Sequence, residues 1–168
     1  MPVGNAGNIT SYWAGFEQYN EIKSTGAPHI LGVQAEGAAP LVLGHPVENP
    51  ETVATAIRIG KPARGEQAMQ AVEESNGRMI AVSDDEILDM QKTLAQLEGI
   101  WVEPASAAGL AGLAHEIANG KLNPKGKRVV AVCTGHGLKD PDIITKNMQK
   151  PRVVPPRLDA LEDAILKN

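Results

Sequence analysis

Apolar positions recur along this chain with two periods, and the switches between them mark its elements. Over residues 9–22 the large apolar side chains fall mostly three apart, at Tyr12, Trp13, Phe16, Tyr19 and Ile22. That spacing predicts a helix with one apolar face, stopped by Gly26 and Pro28. Residues 29–35 (HILGVQA) read as a buried strand. Residues 37–50 read as a loop, because Gly37, Pro40, Gly44, Pro46 and Pro50 punctuate the chain around His45. Residues 50–59 predict a short helix, ended by Gly60-Lys61-Pro62, and residues 65–75 a longer one, closed by Asn76-Gly77.

Residues 78–82 (RMIAV) predict a short strand, and Ser83-Asp84-Asp85-Glu86 after it has the form of a capping box. The helix this box opens runs to about Glu98, with Ile87, Met90, Leu94 and Leu97 on one face and Gly99 as its stop. A very short strand is expected at 100–102. Pro104 then opens a helix to Ala118, stopped by Asn119-Gly120. Its Ala and Gly residues lie on nearly all faces, which predicts close packing on all sides. Residues 127–133 (KRVVAVC) read as the clearest buried strand of the chain.

Alternating strands and helices predict an α/β fold: a three-layer α/β/α sandwich on a mostly parallel sheet, with strands near 29–35, 79–82 and 128–133. Ligands of such sheets bind at the carboxyl ends of strands. Residues 4–8, 103–106 and 134–140 are expected there. One domain over 1–150 is expected, followed by a Pro-rich tail over 151–168 with a short amphipathic helix at 158–166.

Composition narrows the function. The 168 residues are 42% hydrophobic but only 3% aromatic, so Ala, Val, Ile and Leu must build the core. Few rings and a net charge of −4 argue against a nucleic-acid partner or an anionic membrane surface. No apolar run approaches the roughly 20 residues of a membrane span. The single cysteine, Cys133, permits no internal disulfide, and a reducing, cytoplasmic setting is expected. Cys133 itself reads as a small core residue. His29, His45 and His115 have no metal-ligand spacing. Glu73-Glu74 reads as a solvated face, and Asp84-Asp85 as a helix N-terminus.

Candidate chemistry sits at two places. Gly4-Asn5-Ala6-Gly7-Asn8 runs into the first helix. Two glycines three apart let backbone N–H groups turn toward one point, and the helix start adds its unpaired N–H groups and positive dipole end. Together they form a cradle for an anion, most often a phosphate. Only Met1-Pro2-Val3 precedes this loop, too short a segment to anchor it firmly, so the chain reads as beginning inside a larger domain. The second place is Thr134-Gly135-His136-Gly137-Leu138-Lys139-Asp140. Its glycines allow close backbone approach, and a Thr hydroxyl at a strand end can bond a heterocycle nitrogen. Read blandly, it is a tight turn with Lys139 and Asp140 in solvent.

Five stretches together resemble the threonine synthase family, within the tryptophan-synthase-β-like (fold-type II) pyridoxal-phosphate enzymes. They are PVGNAGNIT (2–10), GHPVENPETVATAIRIGKP (44–62), SDDEIL (83–88), EGIWVEPASAAGLAGL (98–113) and TGHGLKDP (134–141). The resemblance spans most of the chain and matches the family's C-terminal portion, part of its large, cofactor-binding domain. It implies that Gly4, Asn5, Ala6, Gly7 and Asn8 hold the phosphate of pyridoxal phosphate, with Asn8 also near the phosphate of the substrate. It implies that Thr134 bonds the pyridine nitrogen, as a neutral partner that does not enforce a protonated ring. Glu103 would lie nearby. The implied reaction is a lyase step of threonine biosynthesis: O-phosphohomoserine and water give threonine and phosphate.

The family's Schiff-base lysine lies in an SFKDR-like motif upstream of the glycine loop, and no such motif occurs here. Lys139, in GLKD, does not match it. The catalytic lysine is thus expected to be absent and the chain alone inactive, with the N-terminal half of the enzyme as a missing partner. Exposed surface left by that half predicts a homo-oligomer. Three other readings stand beside this one: a non-catalytic phosphate-ligand-binding α/β module, a structural fragment, and another fold-type II lyase such as threonine dehydratase.

Overall fold

Two of the expected strands pair and set the frame for the site. The computed structural model describes residues 1–141 and 152–166. In it β1 (Leu31–Ala35) and β2 (Arg78–Val82) run parallel, with Leu31 opposite Arg78 and Ala35 opposite Val82. On the other edge of β1, Pro2 makes a parallel bridge to Val33. Val3 N–H donates to the Val33 carbonyl at 2.8 Å, and Val33 N–H donates to the Met1 carbonyl at 2.9 Å. The three residues before the glycine loop therefore act as a short third strand. Their brevity does not leave the loop unanchored, because the sheet edge of β1 holds them and Val3 is 1% exposed.

Alternate residues of β1 face two helical layers, as the pleat requires. At Gly32 the chain meets the side chains of Ile9 and Met79, while Val33 packs against Gly112. The first layer is α1 (Gly7–Lys23) and α3 (Gly65–Glu74), closing on Val3, Ile9, Trp13, Ile30, Ala68 and Val72. The second is α4 (Asp84–Glu98) and α5 (Pro104–Ala118), closing on Val33, Val82, Ile87, Leu94, Ala107 and Ala108. This is the expected α/β/α sandwich. The small residues of α5 have the expected reason: a Cβ at Gly112 would sit 2.5 Å from Val33 Cγ2, and one at Gly109 would sit 3.1 Å from Met1 Cα.

The capping box forms as read. Glu86 N–H donates to Ser83 Oγ at 3.2 Å, and Ser83 N–H donates to Glu86 Oε2 at 2.8 Å. Glu86 Oε1 also lies 2.7 Å from His115 Nδ1, tying α4 to α5. Partial burial pushes the Glu86 carboxyl up. The bonds from His115 and Ser83 outweigh it and hold the group below its ordinary value.

Elsewhere the structure departs from the pattern. On α1, Ile9 and Trp13 are buried, while Tyr12, Phe16, Tyr19 and Ile22 are exposed. The strip that meets α3 lies one helical step from the apolar stripe. Trp13 Nε1 donates to Glu74 Oε2 at 2.7 Å, so Glu74 is no bare solvated acid. Leu97 is also exposed, in the last turn of α4. The loop at 37–50 contains a one-turn helix, α2 (Pro40–Leu43), whose Leu41 N–H is taken by Gln34 Oε1 at 2.9 Å. The helix expected over 50–59 shrinks to a 3₁₀ turn, Thr55–Ile57. Side chains capture the backbone just before it: Val53 N–H donates to Asp84 and Ala54 N–H to Thr52 Oγ1.

The largest correction concerns 127–133. These residues form no strand and lie mostly exposed, with Val130 at 81% and Cys133 also in solvent. A strand exists only by pairing with an edge. Both edges of β1 are taken, and no ladder joins 128–133 to the outer edge of β2 or to any other strand among the described residues. The strand expected at 100–102 reduces to one bridge, Val102 to His136. The tail carries α6 (Leu158–Leu166), with no buried residue. The boundary expected at 150/151 lies outside the described residues.

Candidate functional site

The glycine loop turns at its alanine. Ala6 is left-handed, with φ 65° and ψ 11°, whereas Gly4 and Gly7 keep negative φ. An L-residue there costs about 1–2 kcal/mol, and burial of the Ala6 methyl, 3% exposed, offsets part of it. Gly4 serves close approach: a Cβ there would stand 3.0 Å from the Ala56 carbonyl oxygen. Gly7 opens onto free space. The N–H groups of residues 4–9 donate to no acceptor among the described residues. They converge at the start of a 17-residue helix. Free donors and the positive end of the helix dipole together suit an anion.

This loop is one wall of a cleft of about 360 Å³, and the loop at 134–140 is another. Gly4, Asn5, Ala6, Gly7, Asn8, Thr134 and Glu103 all line it, so residues 126 or more positions apart in sequence meet at one place. Asn5 contributes backbone, since its Oδ1 accepts from Ala63 N–H at 2.8 Å. Asn8 is exposed at the rim.

The start of α5 holds the second wall. Glu103 N–H donates to the Gly135 carbonyl at 3.0 Å, and Gly135 N–H donates to Ser106 Oγ at 2.7 Å. Ser106 Oγ lies 2.9 Å from Thr134 Oγ1. The two glycines allow this approach: a Cβ at Gly135 would run into the Glu103 carboxyl, and one at Gly137 into the Trp101 ring. A 3₁₀ turn, Gly137–Lys139, then brings Lys139 to the cleft. Its Nζ lies 3.6 Å from Glu103 Oε1, whose side chain is 3% exposed. Thr55 Oγ1 donates to Asp140 Oδ2 at 2.5 Å and closes the loop's far end.

Contacts of three residues of this wall escape sequence reasoning. Lys139 and Asp140 read as solvated, yet both are engaged. Ser106 is expected at the ligand-binding edge with 103–106, but its partner is a loop 28 residues away that the sequence does not name. The one signal was glycine on both sides of His136. Of the other histidines, His29 Nδ1 lies 2.9 Å from the distant Ser75 carbonyl, and His45 Nδ1 lies 3.0 Å from the carbonyl of its neighbour Pro46.

Known proteins resemble this chain in sequence and in fold. The chain is 51% identical over 166 residues to threonine synthase of Halalkalibacterium halodurans, covering 98% of this chain and 47% of that protein. It is 52% identical over 156 residues to threonine synthase of Mycobacterium tuberculosis, covering 92% and 43%. The chain thus spans about half the length of the curated relatives it matches. Among solved structures, a fungal L-serine ammonia-lyase from Rhizomucor miehei superposes with a TM-score of 0.62 at 25% identity, over 88% of this chain and 49% of that one. The family profile described as pyridoxal-phosphate dependent enzyme matches residues 1–135, which contain the glycine loop, α5 and Thr134. The chain belongs to the pyridoxal-phosphate-dependent enzymes, and its fold is that of their fold-type II members.

Proposed function

We propose that this chain supplies the phosphate and ring-nitrogen contacts for pyridoxal phosphate in a threonine synthase, which converts O-phosphohomoserine and water to threonine and phosphate. The observation that carries the reading is the cleft itself. It has free N–H donors at residues 4–9 on one wall and the Thr134 hydroxyl on the other. A phosphorylated pyridine needs donors at one end and a hydrogen-bonding partner at the ring nitrogen, and the donor set matches both needs. A volume of about 360 Å³ falls in the roughly 300–1,000 Å³ range of small-molecule sites. When bound, the cofactor supplies an electron sink conjugated to the amino group of the substrate.

The residues of this chain do the rest of the work. Backbone N–H groups at 4–8 bind the cofactor phosphate, and the start of α1 orients it. Asn8, at the rim, meets the phosphate of the substrate. The Ala56 and Ile57 side of the cleft excludes water from the apolar face of the ring. Threonine synthases at 51–52% identity favour this substrate over that of a dehydratase. The family's lysine motif is not among these 168 residues, so on this reading the lysine comes from sequence outside them.

Titration of the purified chain with pyridoxal phosphate, followed by backbone amide shifts, tests the reading. Shifts are expected at residues 4–8 and 134–137, with weak affinity, on the order of millimolar. Shifts confined to exposed lysines would overturn it. Phosphate release from O-phosphohomoserine by the chain alone is expected to match the buffer control.

A further inference from the structure

The Ser106–Thr134 contact has a direction that the surrounding hydrogen bonds determine. Ser106 is 1% exposed, three residues after the N-cap of α5. Its hydroxyl has two partners among the described residues, Gly135 N–H at 2.7 Å and Thr134 Oγ1 at 2.9 Å. A backbone N–H can only donate, so Ser106 Oγ accepts there. If Thr134 donated to Ser106 as well, the Ser106 proton would be left without an acceptor in a buried place, which is unfavourable. Ser106 must therefore donate to Thr134 Oγ1. The hydroxyl proton of Thr134, which has no other partner among the described residues, is then available to an acceptor in the cleft that Thr134 lines.

We propose that Ser106 is a positioning residue that fixes the Thr134 hydroxyl as a hydrogen-bond donor into the cleft. The cleft thereby selects ligands that present an acceptor nitrogen, a neutral pyridine, over those that present a ring N–H. This rests on the reading that Thr134 meets the ring nitrogen. It adds the residue that sets the polarity of that contact, which Thr134 alone does not, because a hydroxyl both donates and accepts. The charged and titratable groups that face this point are Glu103 from α5 and Lys139, His136 and Asp140 from the 134–140 loop. Glu103 and Lys139 form a pair, the Asp140 carboxylate accepts from Thr55, and His136 Nδ1 accepts from Leu138 N–H at 3.1 Å. All four remain when Ser106 alone is changed, so a comparison of variants isolates the hydroxyl.

The test uses pyridoxamine 5′-phosphate labelled with ¹⁵N in the ring, which forms no imine with surface lysines. The ¹⁵N shift is followed against pH with the wild-type chain, Ser106→Ala and Ser106→Cys. In the wild type the ring nitrogen is expected to protonate at lower pH than in the free ligand. In Ser106→Ala the midpoint rises by about one unit or more, a tenfold change in proton affinity, because Thr134 is freed to accept. Ser106→Cys keeps the shape with a weak donor and should fall between, which guards against a poorly folded alanine variant. Equal midpoints in all three, with amide shifts at 4–8 intact, overturn the inference and leave the cofactor reading standing. Absence of ligand shifts at 4–8 and 134–137 in the wild type overturns both.

Discussion

The two walls of the cleft are held in different ways. The wall at residues 4–9 grows out of the core: Val3, Ala6 and Ile9 are all at most 3% exposed, and sheet pairing fixes the residues before the loop. The wall at 134–140 follows an exposed, unpaired stretch and is held by point contacts to the first turn of α5, to Trp101 and to Thr55. Apolar burial and a backbone ladder make the first wall part of global stability. The second can open while the sandwich stays folded, since local stability follows local buried contacts. A cofactor bound between them would join a rigid cradle to an adjustable clamp.

The comparison breaks most readily at Gln34. It is fully buried, and its amide ties the first wall to α2: Oε1 accepts from Leu41 N–H, and Nε2 donates to the Val3 carbonyl at 3.4 Å. Gln34→Leu would strand both backbone groups, at a cost of about 1–3 kcal/mol each. A fall of about 3 kcal/mol in denaturant unfolding is expected. A change below 1 kcal/mol would show that the first wall does not depend on the core.

The matching experiment on the second wall is Gly135→Ala. The new methyl meets the Glu103 carboxyl, and overpacking of this kind costs about 1–3 kcal/mol. The clamp is expected to take the strain. Pyridoxal phosphate affinity should drop about tenfold while global unfolding moves less than in Gln34→Leu. An equal loss of global stability would make the two walls one cooperative unit.

Thr55→Val removes the bond to Asp140. Hydrogen exchange at Leu138, Lys139 and Asp140 should quicken by about one hydrogen bond's worth, roughly 1 kcal/mol, with amides of β1 unchanged. Faster exchange in β1 would count against independent opening.

The smallest effect concerns acid. The Glu86 carboxyl titrates below its ordinary value when folded, so it adds stability above that value and loses it as pH falls through the folded one. The group is partly exposed, and solvent screening keeps the effect small. A modest loss below about pH 4.5 is expected in the wild type and should shrink in Glu86→Gln, with Glu74, also held below its ordinary value, still contributing. The cleft walls should not sense it, because Glu86 and His115 lie within the α4–α5 pair.

Much of this molecule is legible from local sequence. The capping box at Ser83 and Glu86, the α5 boundaries at Pro104 and Asn119, and the turn chemistry at Gly99 depend on neighbours within five residues, and the structure has them as read. The glycine loop and Thr134 were legible as candidate chemistry for the same reason. Other features needed partners distant in sequence. Residues 127–133 have every local mark of a buried strand, but a strand needs a partner edge that its own residues do not name, and here they stay unpaired. Which side of α1 is buried was set by where α3 lies. Lys139 is exposed as its bland reading has it, but its pairing with Glu103, 36 residues earlier, arises only in the folded chain. Caps, turns and periods act through the backbone next to them, so sequence alone determined those; edge pairing, helix facing and the polarity of the Ser106–Thr134 bond arise between distant residues, and only the tertiary structure decided them.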